Sequence, residues 1–282
     1  KLQIDSGIAL KEQSSAPSAT ADYAKLAALE YGNDTYTKLL CHMDGSNDGT
    51  SFSDVSAGAN GGASNHTVTA TGAVTKTATY KFGTASAYFA GDDDYLEIPA
   101  DADFNVGTGN WTFECWVNTS GNGELFSMGH PDFRILLESG KLKFVGGDQD
   151  SYLGNSTTFN DGAWHHVVVV RQGTNITGYK DGVALPNYMT TSSSMGSSSN
   201  VVRIGIRGDE LTNDLTGYID EVRFDVGVAR YPPYSWWGDS TSGALATGFD
   251  PQGAAWPVSD IFAVDSGGNS RRLSQFWEEV VG

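Results

Sequence analysis

The chain is poor in sulfur: its 282 residues hold two cysteines, Cys41 and Cys115. Both lie inside apolar runs that read as strands. Two buried free thiols are expected, because an unpaired cysteine behaves as a small hydrophobe. A disulfide would need an oxidising compartment and matched geometry. Basic residues are scarce too, with 17 Lys and Arg against 34 Asp and Glu, a formal net charge of -17. That excess repels nucleic-acid phosphate and argues against DNA or RNA as a partner. No apolar run is long enough to span a bilayer. No basic-then-apolar leader opens the chain, which starts at Lys1 and not Met, so the lack of a leader says little about location. Helical periodicity is missing from the whole middle of the chain.

What is present suits strands. Gly occurs 35 times, and Ser, Thr and Asn are abundant, a mixture for short strands and tight turns. Hydrophobic residues at 39%, with aromatics at 11%, supply a sizeable core. Strands are expected at 36–43, 67–70, 85–89, 95–98, 111–117, 133–137, 141–145, 164–171, 175–180, 201–206 and 218–224. In 111–117 large apolar groups fall on both faces, which predicts an inner strand covered on both sides. Asp181-Gly182 is the strongest two-residue turn signal. Strands without intervening helical patterns predict an all-β antiparallel sandwich.

Both ends differ in texture. Residues 13–21 are a Ser/Ala/Pro-rich linker. A short helix is expected after them, with Tyr23, Leu26, Ala27 and Tyr31 on one face and Gly32 as its stop. This divides the chain into an N-terminal extension over 1–35, a β-domain over 36–231 and a C-terminal extension over 232–282. In the last, 258–264 and 271–281 flank Asp265-Ser266-Gly267-Gly268-Asn269 and read as a β-hairpin. A terminal helix is the rival reading. It would put Arg271 and Arg272 at its N-terminus and Glu278 and Glu279 at its C-terminus, against the helix dipole.

Five segments, in order, resemble the laminin-G-like (concanavalin-A-like) jelly roll. They are Leu39-Leu40-Cys41-His42-Met43-Asp44-Gly45, then Lys81-Phe82-Gly83 through Asp94-Tyr95-Leu96, then Trp111-Thr112-Phe113-Glu114-Cys115-Trp116-Val117. Asp161-Gly162-Ala163-Trp164-His165-His166-Val167 and Gly217-Tyr218-Ile219-Asp220-Glu221-Val222-Arg223-Phe224 complete the set. The first strand, the Ala229–Tyr231 exit and the terminal hairpin also look like parts of tailed-phage virion proteins, where such jelly rolls serve as fibre, appendage or decoration modules.

The resemblance implies a Ca²⁺ between the opening and closing strands. The matching positions are Asp44, the carbonyl of Gly45 and Asp220, with Asp54 as a further oxygen donor. The alternative is structural: Asp44 capping a turn, and Asp220 meeting Arg223 or a backbone amide. Asp92-Asp93-Asp94 reads as a solvated loop. His165 and His166 start a strand, point to opposite faces and read as structural. His42 and His130 lack an obvious partner at ligand spacing. The fold also hosts glucanases, which set two carboxylates on one strand face. That spacing is absent here: Glu97 and Asp101, Glu210 and Asp214, and Glu221 and Asp225 stand at the wrong interval. A non-enzymatic protein is therefore expected.

Two binding roles remain. Sugar recognition would use loop groups, with candidates Tyr152 beside Asp148 and Asp150, His130 beside Asp132, and Asn187 beside Tyr188. Partner contacts would use the aromatics outside the jelly roll: Tyr234, Trp236, Trp237, Trp256, Phe276 and Trp277. The expectation is a virion structural, decoration or appendage protein on a virion or extracellular surface, a homo-oligomer meeting other assembly proteins and a host-surface glycan. The alternative is a secreted or cell-surface carbohydrate-binding module, with a glycan hydrolase as a distant third.

Overall fold

The computed structural model describes residues 35–57, 65–129, 133–197, 199–208 and 211–231, and the backbone of 262–264 and 270–272. The helix expected near Tyr23 lies outside the described residues. So do His130 and Asp132, and all six aromatics assigned to partner contacts.

In chain order the strands of the β-domain are β1 (Thr37–Cys41), β2 (Ser51–Ser53), β3 (Thr67–Thr71), β4 (Val74–Lys76), β5 (Ser86–Ala90), β6 (Tyr95–Ile98), β7 (Trp111–Thr119), β8 (Gly123–Met128), β9 (Phe133–Glu138), β10 (Lys141–Gly146), β11 (Gln149–Tyr152), β12 (Trp164–Gln172), β13 (Asn175–Lys180), β14 (Val183–Thr190), β15 (Val202–Ile204) and β16 (Thr216–Val226). One 3-10 turn, Ala102–Phe104, follows β6. The strands form two antiparallel sheets. The first runs β14-β13-β12-β7-β16-β5-β4, with β1 also paired to β16. The second runs β11-β10-β9-β8-β15-β6-β3-β2. The fold is an all-β sandwich, as the strand pattern predicted.

Rings from both sheets fill the space between them. Trp111 of β7 stands 4.8 Å from Phe133 of β9, and Phe224 of β16 stands 5.0 Å from Phe126 of β8. Each such ring contributes about 1.5–3 kcal/mol by leaving water. Cys41 and Cys115 lie in this core as free, buried thiols.

The closing strand β16 explains the family's motif order. Its second half pairs with β1, from Leu39 opposite Phe224 to Cys41 opposite Val222, and its first half pairs with β5. Between the halves Glu221 takes φ 52, and the register against β7 slips by one residue. Such a bulge re-aims a side chain. Glu221 Oε2 lies 2.7 Å from His42 Nδ1.

The inner strand is covered on both faces, as its pattern predicted. Phe113, Cys115 and Val117 enter the sandwich core, while Thr112, Glu114 and Trp116 are buried on the far side of the sheet. That far side is where Val168, Val170 and Tyr179 form a second apolar cluster with Ala229 and Tyr231. The exit segment after β16 therefore lies on the outer face of the first sheet.

The short strands β2, β4 and β11 escaped the sequence reading. They are three or four residues long and mostly polar, too short for a period to stand out. β8 and β14 were missed as well, β14 because Pro186 interrupts it. At the C-terminus β17 (Phe262–Val264) pairs with β18 (Ser270–Arg272), Phe262 opposite Arg272, which favours the hairpin over the helix there.

Candidate functional site

Period-2 alternation on four neighbouring strands builds one row of side chains. On β5 Phe89 enters the core, so Tyr88 turns outward. On β16 Ile219 enters and Tyr218 turns outward; on β7 Val117 enters and Asn118 turns outward. On β12 Val167 enters, so Trp164, three residues earlier, faces out. The register sets Tyr218 opposite Tyr88 on one side and Asn118 on the other, and Asn118 opposite Trp164. Tyr88, Tyr218, Asn118 and Trp164 thus cross four strands in line, each half-buried. At about 4.8 Å per strand the row is about 14 Å long.

The rings are close enough to act as one surface. Tyr88 and Tyr218 have centroids 5.0 Å apart, and Trp164 reaches across Asn118 to within 6.4 Å of Tyr218. Lys76 Nζ stands 5.7 Å from the Tyr88 ring. Each Tyr and Trp offers an apolar face with a polar edge, and the Asn118 amide can both donate and accept hydrogen bonds. Such a surface can stack flat rings and bond hydroxyls around them.

The neighbouring row on the Trp116 side of the same face is closed. Trp116 lies under the Lys81 ammonium at 4.2 Å and meets the Phe82 ring edge-on at 5.5 Å. Asp220 holds that loop in place: its Oδ2 accepts from the amides of Lys81 at 2.7 Å and Phe82 at 3.0 Å. Asp44 does the same from the other end, its Oδ1 accepting from Thr84 N at 2.5 Å and Ala85 N at 3.3 Å. Gly83 sits between them at φ +62, and a Cβ there would stand 2.3 Å from Asp44 Oδ1. The Phe-Gly of the family motif is thus a loop clamped by the two aspartates of the opening and closing strands.

Beyond Trp116 the face holds buried charge. Glu114 lies 3.3 Å from His166 Nε2 and 4.0 Å from Arg223 Nε, and accepts from the Tyr231 hydroxyl. Burial pushes the Glu114 carboxyl up, but the His166 hydrogen bond and the His166 and Arg223 charges outweigh it and hold it below the usual range. Asp225 pairs with Arg223 Nε at 2.9 Å and Arg230 at 3.0 Å. Arg230 and Tyr231 of the exit segment close the cluster from outside.

Asp44, Asp54 and Asp220 do not converge as one cation cage. Asp220 is fully buried, its Oδ1 has no hydrogen-bond partner, and burial, with the Glu221 charge beside it, pushes the carboxyl up to about 7. Asp44 is exposed and bound to the 84–85 amides. Gly45 packs against Thr75, 2.9 Å from a would-be Cβ. Asp54 belongs elsewhere: its oxygens accept from Leu40 N, Ser56 N and His66 N, and Oδ2 lies 2.8 Å from His66 Nδ1. Ca²⁺ asks for six to eight oxygens on one point, and these residues do not fit that demand.

The structure separates the loop residues weighed for sugar contact. Lys143 brings Tyr152 and Asp150 together on the second sheet, 2.8 Å from Asp150 Oδ1 and 5.6 Å from the Tyr152 ring centroid. The Tyr152 hydroxyl is bonded to Glu138 and Lys141 also flanks the ring, so its faces are already attended. Asp148 accepts from Thr191 at another turn. Asn187 and Tyr188 sit on edge strand β14. Tyr188 is 56% exposed and opposite Thr177, about 20 Å along the sheet from the Trp164 row. His165 is held by Asp181 at 2.8 Å and Asp161 at 3.0 Å, and His166 lies on the opposite face, as their adjacency predicted. Asp94 corrects the reading of a solvated triplet: it is buried, and its Oδ2 accepts from Ala90 N at 2.7 Å. Among the described residues one group gathers His and Asp at ligand spacing, His66 with Asp101 and Asp103, which the sequence reading missed because they lie on separate loops.

Comparison with known proteins agrees with this architecture. Residues 89–225 match a laminin G family model described as the concanavalin A-like lectin/glucanases superfamily. Over that stretch the sandwich is similar to the concanavalin A-like jelly roll. The binding domain of Paraclostridial Mosquitocidal Protein 1 is similar at TM-score 0.53 and 12% identity, over 70% of this chain and 50% of that one. Domain 4 of AbnA, a GH43 extracellular arabinanase from Geobacillus stearothermophilus solved with arabinotriose, is 17% identical over 69% of this chain and 95% of that one, at TM-score 0.49. The botulinum neurotoxin serotype D binding domain is 11% identical over 68% of this chain and 48% of that one, at TM-score 0.47. The chain spans about half the length of the two toxin binding domains. No match is found among curated proteins. At these identities the likeness is one of fold, and the tailed-phage setting draws no support from it. No helix among the described residues is long and apolar enough to cross a membrane.

Proposed function

We propose that this domain is a non-catalytic glycan-binding module, and that its ligand lies along Tyr88, Tyr218, Asn118 and Trp164. The observation carrying the reading is the continuity of that row: three aromatic rings and one amide set by register across four rigid strands. Sugar rings present apolar C–H faces and equatorial hydroxyls. The first stack on aromatic faces, and the second meet Asn118, the tyrosine hydroxyls and the indole N–H. A row about 14 Å long takes more than one sugar ring, so an oligosaccharide is favoured over a monosaccharide. The lectins named in the matching family's description support the same class of ligand.

The nearest buried carboxylates support a binding role over a hydrolytic one. Asp220 is engaged by two amides, and Glu114 by His166 and Tyr231. Both are buried, which shuts them off from a sugar bound at the surface. The extracellular or particle-surface setting is part of this proposal, as the place where such a glycan is met.

The test is a glycan array followed by titration of the best ligand, read by tryptophan fluorescence. Trp164→Ala and Tyr218→Ala should each weaken binding about tenfold or more, with circular dichroism unchanged. Binding that survives the double substitution would remove the row from consideration, and an array without any signal would remove the glycan.

A further inference from the structure

A second site stands at the other sheet, away from the aromatic row. Asp54, just after β2, has a fully buried carboxylate. Its Oδ1 accepts from Leu40 N at 3.0 Å and Ser56 N at 2.9 Å, and its Oδ2 from Ser56 Oγ at 2.9 Å and His66 N at 2.8 Å. These bonds fix the carboxylate. It in turn fixes the ring of His66, whose Nδ1 lies 2.8 Å from Oδ2. Phe104 packs on the ring at 4.8 Å between centroids, and the His66 side chain is only 8% exposed.

With Nδ1–H donating to Asp54, the lone pair of neutral His66 is on Nε2. That nitrogen makes no hydrogen bond; its nearest acidic neighbour is Asp103 Oδ2, at 3.8 Å. The 3-10 turn brings the rest. Asp101 caps it, with Oδ1 accepting from Asp103 N at 2.9 Å. One ligand atom from each of His66, Asp101 and Asp103 lies within 4.8 Å of the others. Lys38 Nζ, 3.3 Å from Asp103 Oδ1, balances part of the charge and leaves Oδ2 facing His66.

We propose that His66 Nε2, Asp101 and Asp103 bind a divalent first-row transition ion, with Asp54 as the partner that sets the tautomer and aim of His66. An ion about 2.0–2.2 Å from each ligand holds tetrahedral donors about 3.3–3.6 Å apart, so the 3.8 Å between His66 Nε2 and Asp103 Oδ2 and the spread of up to 4.8 Å across the three must close by side-chain adjustment of up to about 1 Å when the ion binds. Imidazole selects zinc-like ions over calcium or magnesium, which prefer oxygen alone. The buried carboxylate behind the ring is the usual outer-shell support of a metal-bound histidine. Three protein ligands on a partly open surface leave the remaining coordination to water or to an oxygen of a bound partner. The site joins residues flanking β2 and β3 to the turn after β6, so the ion acts as a clip on that side of the second sheet.

The experiment uses the full chain, stripped with chelator and titrated with ZnCl₂ by calorimetry, with the Co²⁺ absorption spectrum as a second readout. One Zn²⁺ per chain is expected, with a rise in thermal midpoint on loading. Asp101→Asn with Asp103→Asn should abolish both signals while far-ultraviolet circular dichroism stays unchanged. His66→Ala should do the same, and Asp54→Asn should weaken Zn²⁺ about 10- to 100-fold and shift the Co²⁺ spectrum. Failure to bind Zn²⁺ would overturn the proposal. So would Zn²⁺ binding unaltered in the Asp101/Asp103 variant, or Ca²⁺ bound more tightly than Zn²⁺ at these residues. None of these readouts involves a glycan, so failure here leaves the reading of the aromatic row standing.

Discussion

The outer face of the first sheet has two halves built by one register and opposite in character. In one, Glu114, Arg223, Asp225, His166 and Asp220 are removed from water beneath the Lys81–Phe82 loop and the Arg230–Tyr231 exit. In the other, Tyr88, Tyr218, Asn118 and Trp164 stay half-buried, with the Lys76 ammonium beside the Tyr88 ring. Buried charge must be paired and covered to be tolerated, so the closed half answers to folding. Aromatic surface left partly in water adds little to folding, which marks the open half as the one free to bind.

The comparison predicts separable effects. Arg223→Ala strips the pairing from Asp225 and Glu114 in a fully buried setting, and should cost about 3–5 kcal/mol in urea unfolding. Glycan affinity of the folded fraction should barely change. If the variant is as stable as the parent, the closed half is not the structural one.

Asp220 gives a pH signature. Its pKa rises from 3.8 unfolded to about 7 folded, so between these values the folded state holds more protons than the unfolded state. Stability conferred by the neutral carboxyl is therefore full at low pH and lost as pH rises to about 7, a change of up to about 4 kcal/mol. His42, raised chiefly by its hydrogen bond to Glu221, acts with the same sign, its contribution fading as pH climbs above the usual histidine range. Glu114 and Asp54 are lowered, and their contributions vanish at the acid end. Asp220→Asn should flatten the slope between about pH 4 and pH 7; an unchanged slope would deny Asp220 this role.

Smaller effects follow. Gly83→Ala sets a Cβ against Asp44 at positive φ and should cost about 1–3 kcal/mol, loosening the loop over Trp116. Trp164→Ala should lose about 1.5 kcal/mol of binding, near tenfold, with a melting temperature nearly that of the parent. The reverse ranking, stability lost and affinity kept, would turn the two halves round.

Sequence and structure agree where a residue's local pattern and its long-range role coincide. The strong strands β7, β12 and β16 were legible because they are long and dense in valines and rings, β7 with large apolar groups on both faces and β12 with valines in succession from Val167 to Val170. The Asp181-Gly182 turn was legible because both residues must take positive φ, as they do at 51° and 80°. The aromatic row was not. Tyr88, Asn118, Trp164 and Tyr218 belong to four strands, and only the pairing register brings them into line. Each looks ordinary alone, whereas Tyr152 and Tyr188, which read as loop but lie on β11 and β14, draw notice merely by lying in polar stretches. His66 was hidden in the same way. Its two acidic neighbours are more than thirty residues on, and the turn that presents them is three residues long.

The two thiols described in the core carry one further consequence. Burial pushes the proton affinity of Cys41 and Cys115 well above that of an ordinary thiol, so neither supplies the thiolate that exchange or oxidation needs. The covalent state of this domain is therefore set by its packing and not by its surroundings. Once folded, both cysteines should resist thiol-reactive reagents until the domain unfolds.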